Sequence, residues 1–283
     1  MTYPIGIFDS GYGGLTVLKA IQSVLPDNDF LYLGDNARAP YGTKSFTEIY
    51  HNTRECVAHL FAQGCPLVIL ACNTASARAL RTIQQQDLSD IQHYPHQRVL
   101  GVIRPTAEII GDFSHTQAIG ILGTPGTVKS SSYLIEIKKF YPKSSVVQQA
   151  CPTWVDFIEQ GQYNSPAAQR HIQKDVERLL AKHPTIDCIL LACTHYPLVA
   201  HHIREYLPSS VKLLEQGDLV ADKLVDYLKR HAEIEKHCGK QGKIQFFTTG
   251  NAEDFQQHAK WFYGKALKVN KIQPGLANER FKT

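Results

Sequence analysis

The feature that most limits what this chain can become is a series of short, largely apolar segments separated by longer amphipathic ones. Residues 5–8, 30–33, 67–70, 99–102, 118–122, 189–191, 211–214 and 245–248 read as strands. They are apolar runs, not alternating ones, as in sheets covered on both faces. Between them, 15–24, 45–63, 75–86, 166–183, 219–230 and 252–263 carry helical patterning. In 45–63, Ile49, Val57, Leu60 and Phe61 share a face, and Gly64 is a natural stop. This alternation predicts α/β layers built on mostly parallel sheets. The chain has 283 residues, enough for two modest domains. The polar segment 84–97, interrupted by Pro95, is a candidate crossing between them, and Pro208-Ser209-Ser210 a candidate return. The expected division is 1–97 plus 210–283 for a discontinuous first domain and 98–209 for the second. The charged segment 230–243 reads as a surface excursion.

Sheets of this kind place chemistry at the carboxyl ends of their strands, and there the chain repeats itself. Leu70-Ala71-Cys72-Asn73-Thr74 and Leu191-Ala192-Cys193-Thr194-His195 share one build: an apolar strand, Ala-Cys, then two small or polar residues. The echo predicts two similar α/β halves, each offering one thiol from the same topological place. A thiol at a strand end beside a helix N-terminus meets free N–H groups and the positive end of the helix dipole, both of which favour thiolate. Asn73 and Thr74 offer hydrogen bonds suited to a carboxylate. His195 can share a proton with Cys193 or stabilise its thiolate. Taken singly, either cysteine could be a core residue and His195 a satisfied loop histidine. The duplication is what favours function.

Other strand ends add candidates. Asp9-Ser10-Gly11 follows the first strand, where Asp9 is either a site carboxylate or a helix cap. The glycines of 11–14 match neither the dinucleotide-binding nor the P-loop spacing. The 34–42 loop ends in Pro40-Tyr41-Gly42, which can present N–H groups to an anion or be an ordinary turn. Thr124 and Thr127 offer hydroxyls or cap a helix. Glu159 is a supporting carboxylate or a surface residue, and Trp154 and Trp261 are expected to pack.

Composition closes off other classes. The formal net charge is +4 with scattered lysines and arginines, so nucleic-acid binding has no electrostatic footprint. The seven cysteines form no C-x-x-C pair, so neither a zinc site nor a thioredoxin motif is indicated. The N-terminal MTYPIGIFDSG does not read as a signal peptide, and no apolar run approaches a membrane span. Free thiols point to a reducing, cytoplasmic setting. The short stretch before Asp9 leaves little room for an appended regulatory segment.

With these residues in view, the chain resembles the glutamate racemase family. The similarity is carried by IGIFDSGYGGLTVL (5–18), LGDNARAPYGTKS (33–45), VILACNTASA (68–77) and LLACTHYPLV (190–199), in the family's order, with CPTWVDFIE (151–159) between the last two. The resemblance implies a cofactor-independent racemase of two similar α/β domains with glutamate held between them. It implies Cys72 and Cys193 as the catalytic pair, Asp9 assisting Cys72 and His195 assisting Cys193. Substrate contacts would fall on Asp9, Ser10, Tyr41, Gly42, Asn73, Thr74, Thr194 and His195. The D-glutamate product would serve bacterial peptidoglycan synthesis. The partner is then a small molecule, with no nucleic acid or membrane, and a homodimer is compatible. Two places depart from the family pattern: Glu215-Gln216-Gly217 replaces an Asp-Ser-Gly-like echo, and Arg104-Pro105-Thr106 replaces an acidic-Pro-Gly turn.

The chemistry suits that implication, because inverting a stereocentre needs a base on one face of the α-carbon and an acid on the other. Three alternatives stay open at this level. One is a two-cysteine racemase or isomerase of the same fold acting on aspartate, a hydantoin or maleate. Another is a thiol hydrolase using Cys193 and His195. The third is a non-catalytic binding protein for acidic amino acids.

Overall fold

A computed structural model of the chain describes residues 2–273. It contains two sheets, in which every neighbouring pair of strands is parallel. Strands β1 (Ile5–Asp9), β2 (Phe30–Gly34), β3 (Leu67–Leu70) and β4 (Arg98–Gly101) lie in the first sheet. Strands β5 (Ala118–Gly123), β6 (Ser145–Ala150), β7 (Cys188–Ala192) and β8 (Lys212–Leu214) form the second. Strands β9 (Ile244–Thr248) and β10 (Val269–Lys271) extend the first sheet beyond β2. The orders are β10-β9-β2-β1-β3-β4 and β6-β5-β7-β8. Without β9 and β10 they are the same order: first strand inside, second on one side, third and fourth on the other. The third strand of each sheet runs into Ala-Cys. The sequence echo is thus an echo of topology, and the α/β expectation of two similar parallel sheets holds.

The expected crossings fall one strand too early. Residues 98–101, placed in the second domain from sequence, pair with β3 in the first sheet. Residues 212–214, placed in the first domain, pair with β7 in the second. The chain changes sheet after Gly101 and again after Leu214. Pro95 and Pro208 mark turns before edge strands, which are as rich in turn chemistry as a domain linker. The stretch 274–283, assigned to the first domain from sequence, lies outside the described residues.

Edge position also explains the strands that apolar runs do not reveal. β6 is half-exposed along its length and reads SVVQQA, and β10 has only three residues. The helix expected over 75–86 begins earlier, at Asn73, and breaks after Arg78 into short turns. The return helix Gln216–Arg230 packs on Gly14–Val24, and a Cβ on Gly217 would stand 3.0 Å from Ala20 Cβ. Trp154 packs as expected, buried with its indole N–H on Asp175, whereas Trp261 is 43% exposed across Gly161.

The helix Pro166–Leu180 shows how local signals and packing combine. Ser165 accepts the Ala168 N–H as its cap, and Pro166 opens the first turn. Its buried stripe of Ile172, Val176 and Leu179 lies against the second sheet. Leu179 Cδ2 sits 2.9 Å from where a Cβ on Gly120 of β5 would stand, so the side chain fills space that glycine vacates. Leu179→Ala is expected to cost about 2–5 kcal/mol of stability, the usual range for a buried leucine. Urea unfolding will measure it, and a change under 1 kcal/mol would show that the site collapses around the smaller side chain.

Candidate active site

The carboxyl ends of β1, β3, β5 and β7 converge on one small cavity between the two lobes, and both Cys72 and Cys193 line it. Each cysteine is only 6% exposed. Of the other residues expected at the site, Ser10, Tyr41, Gly42, Asn73, Thr74, Thr194 and His195 also line the cavity. Asp9 does not; it is fully buried behind the wall that Ser10 forms.

Cys72 is the cap of the helix Asn73–Arg78. Its sulfur accepts the Ala75 N–H at 3.4 Å, and its thiol donates to Ser10 Oγ at 3.4 Å. The helix-end N–H that the sequence leads one to expect is therefore present. It does not win: burial, then the nearby Asp9 carboxylate, push the thiol up to about 12 against the pull of Ser10 and Ala75. In this arrangement Cys72 keeps its proton, a correction to the thiolate-favouring setting that the strand end alone suggests.

Asp9 accepts the Gly11 N–H at 2.9 Å through Oδ2. Through Oδ1 it accepts the Thr194 hydroxyl at 3.4 Å, across the boundary between lobes. Burial raises its pKa, while the positive His195 and the N–H groups of Gly11 and Gly14 pull the other way. Gly13 allows this approach. A Cβ there would stand 2.3 Å from Thr194 Oγ1 and 2.5 Å from His195 Nδ1.

On the opposite wall, His195 Nδ1 lies 4.0 Å from Cys193 Sγ, the outer limit of a sulfur hydrogen bond. Its Nε2 lies 2.9 Å from Glu159 Oε1. Burial works against charge on this ring. The Cys193 sulfur and the Glu159 carboxylate outweigh it and lift the imidazole to about 10. His195 is therefore an imidazolium at neutral pH. Glu159, ambiguous in the sequence, is its supporting carboxylate, delivered by the helix Trp154–Glu159 that follows β6.

The 34–42 loop is held from behind. The Tyr41 hydroxyl donates to Asp35, which is completely buried and also accepts Arg38 Nε at 2.8 Å and Thr249 Oγ1 at 2.8 Å. The far end of the loop touches the second lobe, where Gly42 O accepts the Gly126 N–H at 2.8 Å. A Cβ on Gly42 would stand 2.9 Å from Thr124 Cβ. Thr124 in turn shares a hydrogen bond of 2.9 Å with Thr74. It also caps its own helix, as the second of its two sequence readings expects.

Sequence reasoning missed Asp35, Tyr133 and Gln216. Asp35 and Gln216 lie in segments that carry the family resemblance or depart from it, but only packing shows that their side chains turn inward. Among the described residues, no cluster of three or more His, Cys, Asp or Glu is placed to hold a metal ion. Among the same residues, no helix is long and apolar enough to cross a membrane.

Two thiols at equivalent strand ends of the two sheets thus line one buried cavity, one near Asp9 and one beside a His–Glu pair, and known proteins share the fold that places them. A sequence profile described as Asp/Glu/Hydantoin racemase matches residues 14–224. A glutamate racemase from Roseobacter denitrificans is 40% identical, over 94% of this chain and 98% of its own length. The crystal structure of glutamate racemase isoform RacE1 from Bacillus anthracis superposes with a TM-score of 0.85 at 29% identity, covering 96% of this chain and 97% of that one. The glutamate racemase of Francisella tularensis in complex with D-glutamate gives 0.84 at 28% identity, covering 97% and 98%. The chain belongs to the Asp/Glu/hydantoin racemase family.

Proposed function

We propose that this protein interconverts L- and D-glutamate without a cofactor, using Cys72 and Cys193 as base and acid on opposite faces of the α-carbon. The observation that carries the reading is that the two thiols line one cavity, each from the end of the third strand of its own sheet. The full-length similarity to glutamate racemases supports glutamate over aspartate, a hydantoin or maleate. A hydrolase needs one cysteine only, which would leave the buried Cys72 with its polar partners unexplained. We further propose that the product feeds bacterial peptidoglycan synthesis. The seven free cysteines support a reducing, cytoplasmic setting.

The geometry suggests how the proton moves. The cavity measures about 20 Å³, which is room for roughly one water. Substrate entry thus requires the lobes to part, and closure then excludes solvent from the reacting carbon. With Cys72 holding its proton, Cys193 takes the base's role and Cys72 delivers the new proton to the other face. The reverse reaction starts with the proton on Cys193. In this reading His195, 4.0 Å from the Cys193 sulfur, assists Cys193, and Asp9 assists Cys72. Positioned proton transfer supplies only about 10²–10⁴-fold, so donors at the substrate carboxylates must carry much of the rest.

L- and D-glutamate, incubated separately in D₂O, are expected to racemise with deuterium appearing at the α-carbon, read by NMR and circular dichroism. Glutamate bound without exchange would sink the proposal. Cys72→Ser and Cys193→Ser should each cut turnover by about 10²–10⁴-fold, the range for loss of a positioned acid or base. Full activity in Cys72→Ser would return the hydrolase reading to favour.

Glu159 gives a pH test. The imidazolium is the active form, so activity should fall as pH rises through about 10. Glu159→Gln removes a negative charge that stabilises the imidazolium, so the pKa falls and the alkaline limb of kcat/KM moves to lower pH. A limb that stays in place would show that it does not belong to His195.

A further inference from the structure

A knot of buried polar side chains lies where the chain passes between the lobes. Gln216 opens the helix Gln216–Arg230, just after β8 returns the chain to the first lobe, and is 4% exposed. Val102 and Thr106 lie at the outward crossing after β4. Gln216 Nε2 is 3.0 Å from Val102 O, 3.0 Å from Thr106 Oγ1 and 2.6 Å from Tyr133 Oη. Its Oε1 accepts Asn73 Nδ2 at 2.7 Å. Tyr133 Oη donates to Asn73 Oδ1 at 2.6 Å, and Thr106 Oγ1 donates to Val102 O at 2.8 Å.

Counting hydrogens fixes the orientation of both amides. Tyr133 has one proton, given to Asn73, so towards Gln216 it can only accept. The two Nε2 hydrogens of Gln216 are shared among three acceptors. Rotating its amide by half a turn would set Oε1 against the Val102 carbonyl and Nε2 against the Asn73 amide nitrogen. The reversed arrangement would leave buried polar groups facing like groups, at a cost that the observed one avoids.

Asn73 is the residue after Cys72 and lines the cavity. Its Oδ1 is taken by Tyr133 and one Nδ2 hydrogen by Gln216, which leaves one Nδ2 hydrogen for a ligand. A single donor of fixed direction suits a carboxylate oxygen. We propose that Gln216 is a positioning residue that holds this Asn73 donor towards the substrate carboxylate and ties its direction to the two crossings about which the lobes move. Gln216 stands where the sequence departs from the family pattern. It joins both crossings, and Tyr133 of the second lobe, to a substrate-facing side chain of the first. The proposal rests on the racemase reading above.

A double-mutant cycle tests it, with kcat and KM for L-glutamate measured in the wild type, Gln216→Met, Asn73→Ala and the double variant. Methionine keeps the length and burial of glutamine and removes its hydrogen bonds. Gln216→Met is expected to raise KM roughly tenfold with a smaller change in kcat, and the double variant to be no worse than Asn73→Ala, as for residues acting through one contact. Losses that multiply, or an unchanged KM with only a lower melting temperature, would overturn the assignment. Should Gln216→Met fail to fold, Tyr133→Phe removes only the hydroxyl that holds Asn73 Oδ1. It should show the same rise in KM and the same lack of additivity with Asn73→Ala, and multiplied losses there would overturn the proposal equally. A wild-type protein that exchanges no α-proton would overturn the racemase reading and this one with it, whereas an active wild type with multiplied losses overturns this one alone.

Discussion

Everything at this site depends on two lobes coming within hydrogen-bond distance of each other over groups that water would otherwise solvate. The contact between Asp9 and Thr194 crosses that boundary, as do those between Gly42 and Gly126 and between Thr74 and Thr124. None is strong, since a net hydrogen bond contributes only about 0.5–1.5 kcal/mol. Their effect lies in exclusion. Once the boundary closes, the thiols, Asp9 and His195 are all nearly or wholly buried. Electrostatic effects that would be small in water then become large. Gly13 and Gly42 are the sequence's contribution, because any side chain at either would hold the lobes apart.

Burial is also the main opponent of the chemistry. It raises the pKa of Cys72 and Asp9 and works against the charge on His195. The first lobe offsets this with backbone N–H groups at the ends of β1 and β3, which favour negative charge on Asp9 and Cys72 without adding another ionised group. The second lobe offsets it with a carboxylate, Glu159, which brings charge of its own. The 34–42 loop uses the same device at a distance, where buried Asp35 collects Arg38, Thr249 and the Tyr41 hydroxyl. Each carboxylate is buried only as far as donors exist to meet it.

Much of this was legible in the sequence, and the parts that were not share a cause. Central strands buried on both faces are apolar throughout, so β1, β3, β5 and β7 stand out, and their ends located both cysteines and most of the cavity wall. Edge strands such as β6 and β10 carry polar residues and leave no comparable pattern. The two crossings were misplaced because an edge strand preceded by a proline turn looks like the start of a linker. Cys72 shows a different limit. Its helix-end donors are a local matter, visible in the order of residues, but the burial that outweighs them comes from tertiary packing, including the first-lobe core around Phe8, Leu70 and Phe247. The contacts of Gln216 and Tyr133 were hidden for the same reason: one residue opens a helix and the other lies within one, and only tertiary packing turns both inward.

The two halves share strand order and the position of their thiols, yet they differ in what stands beside each thiol. That difference suits the proposed reaction. A symmetric site would give both thiols the same environment, and they would compete for the same protonation state. In the proposed two-thiol reaction, turnover needs one thiol with its proton and one without, in either direction. The first lobe supplies an anion near Cys72, which holds that proton on. The second places an imidazolium 4.0 Å from the Cys193 sulfur. Once the substrate proton has crossed, the roles must be able to exchange, so neither bias can be overwhelming. Asp9 is moved up by burial, and His195 lies at 4.0 Å from its sulfur instead of in a short bond. A repeated fold thus supplies the two faces, and divergence at Asp9 and at Glu159–His195 gives the two thiols different surroundings.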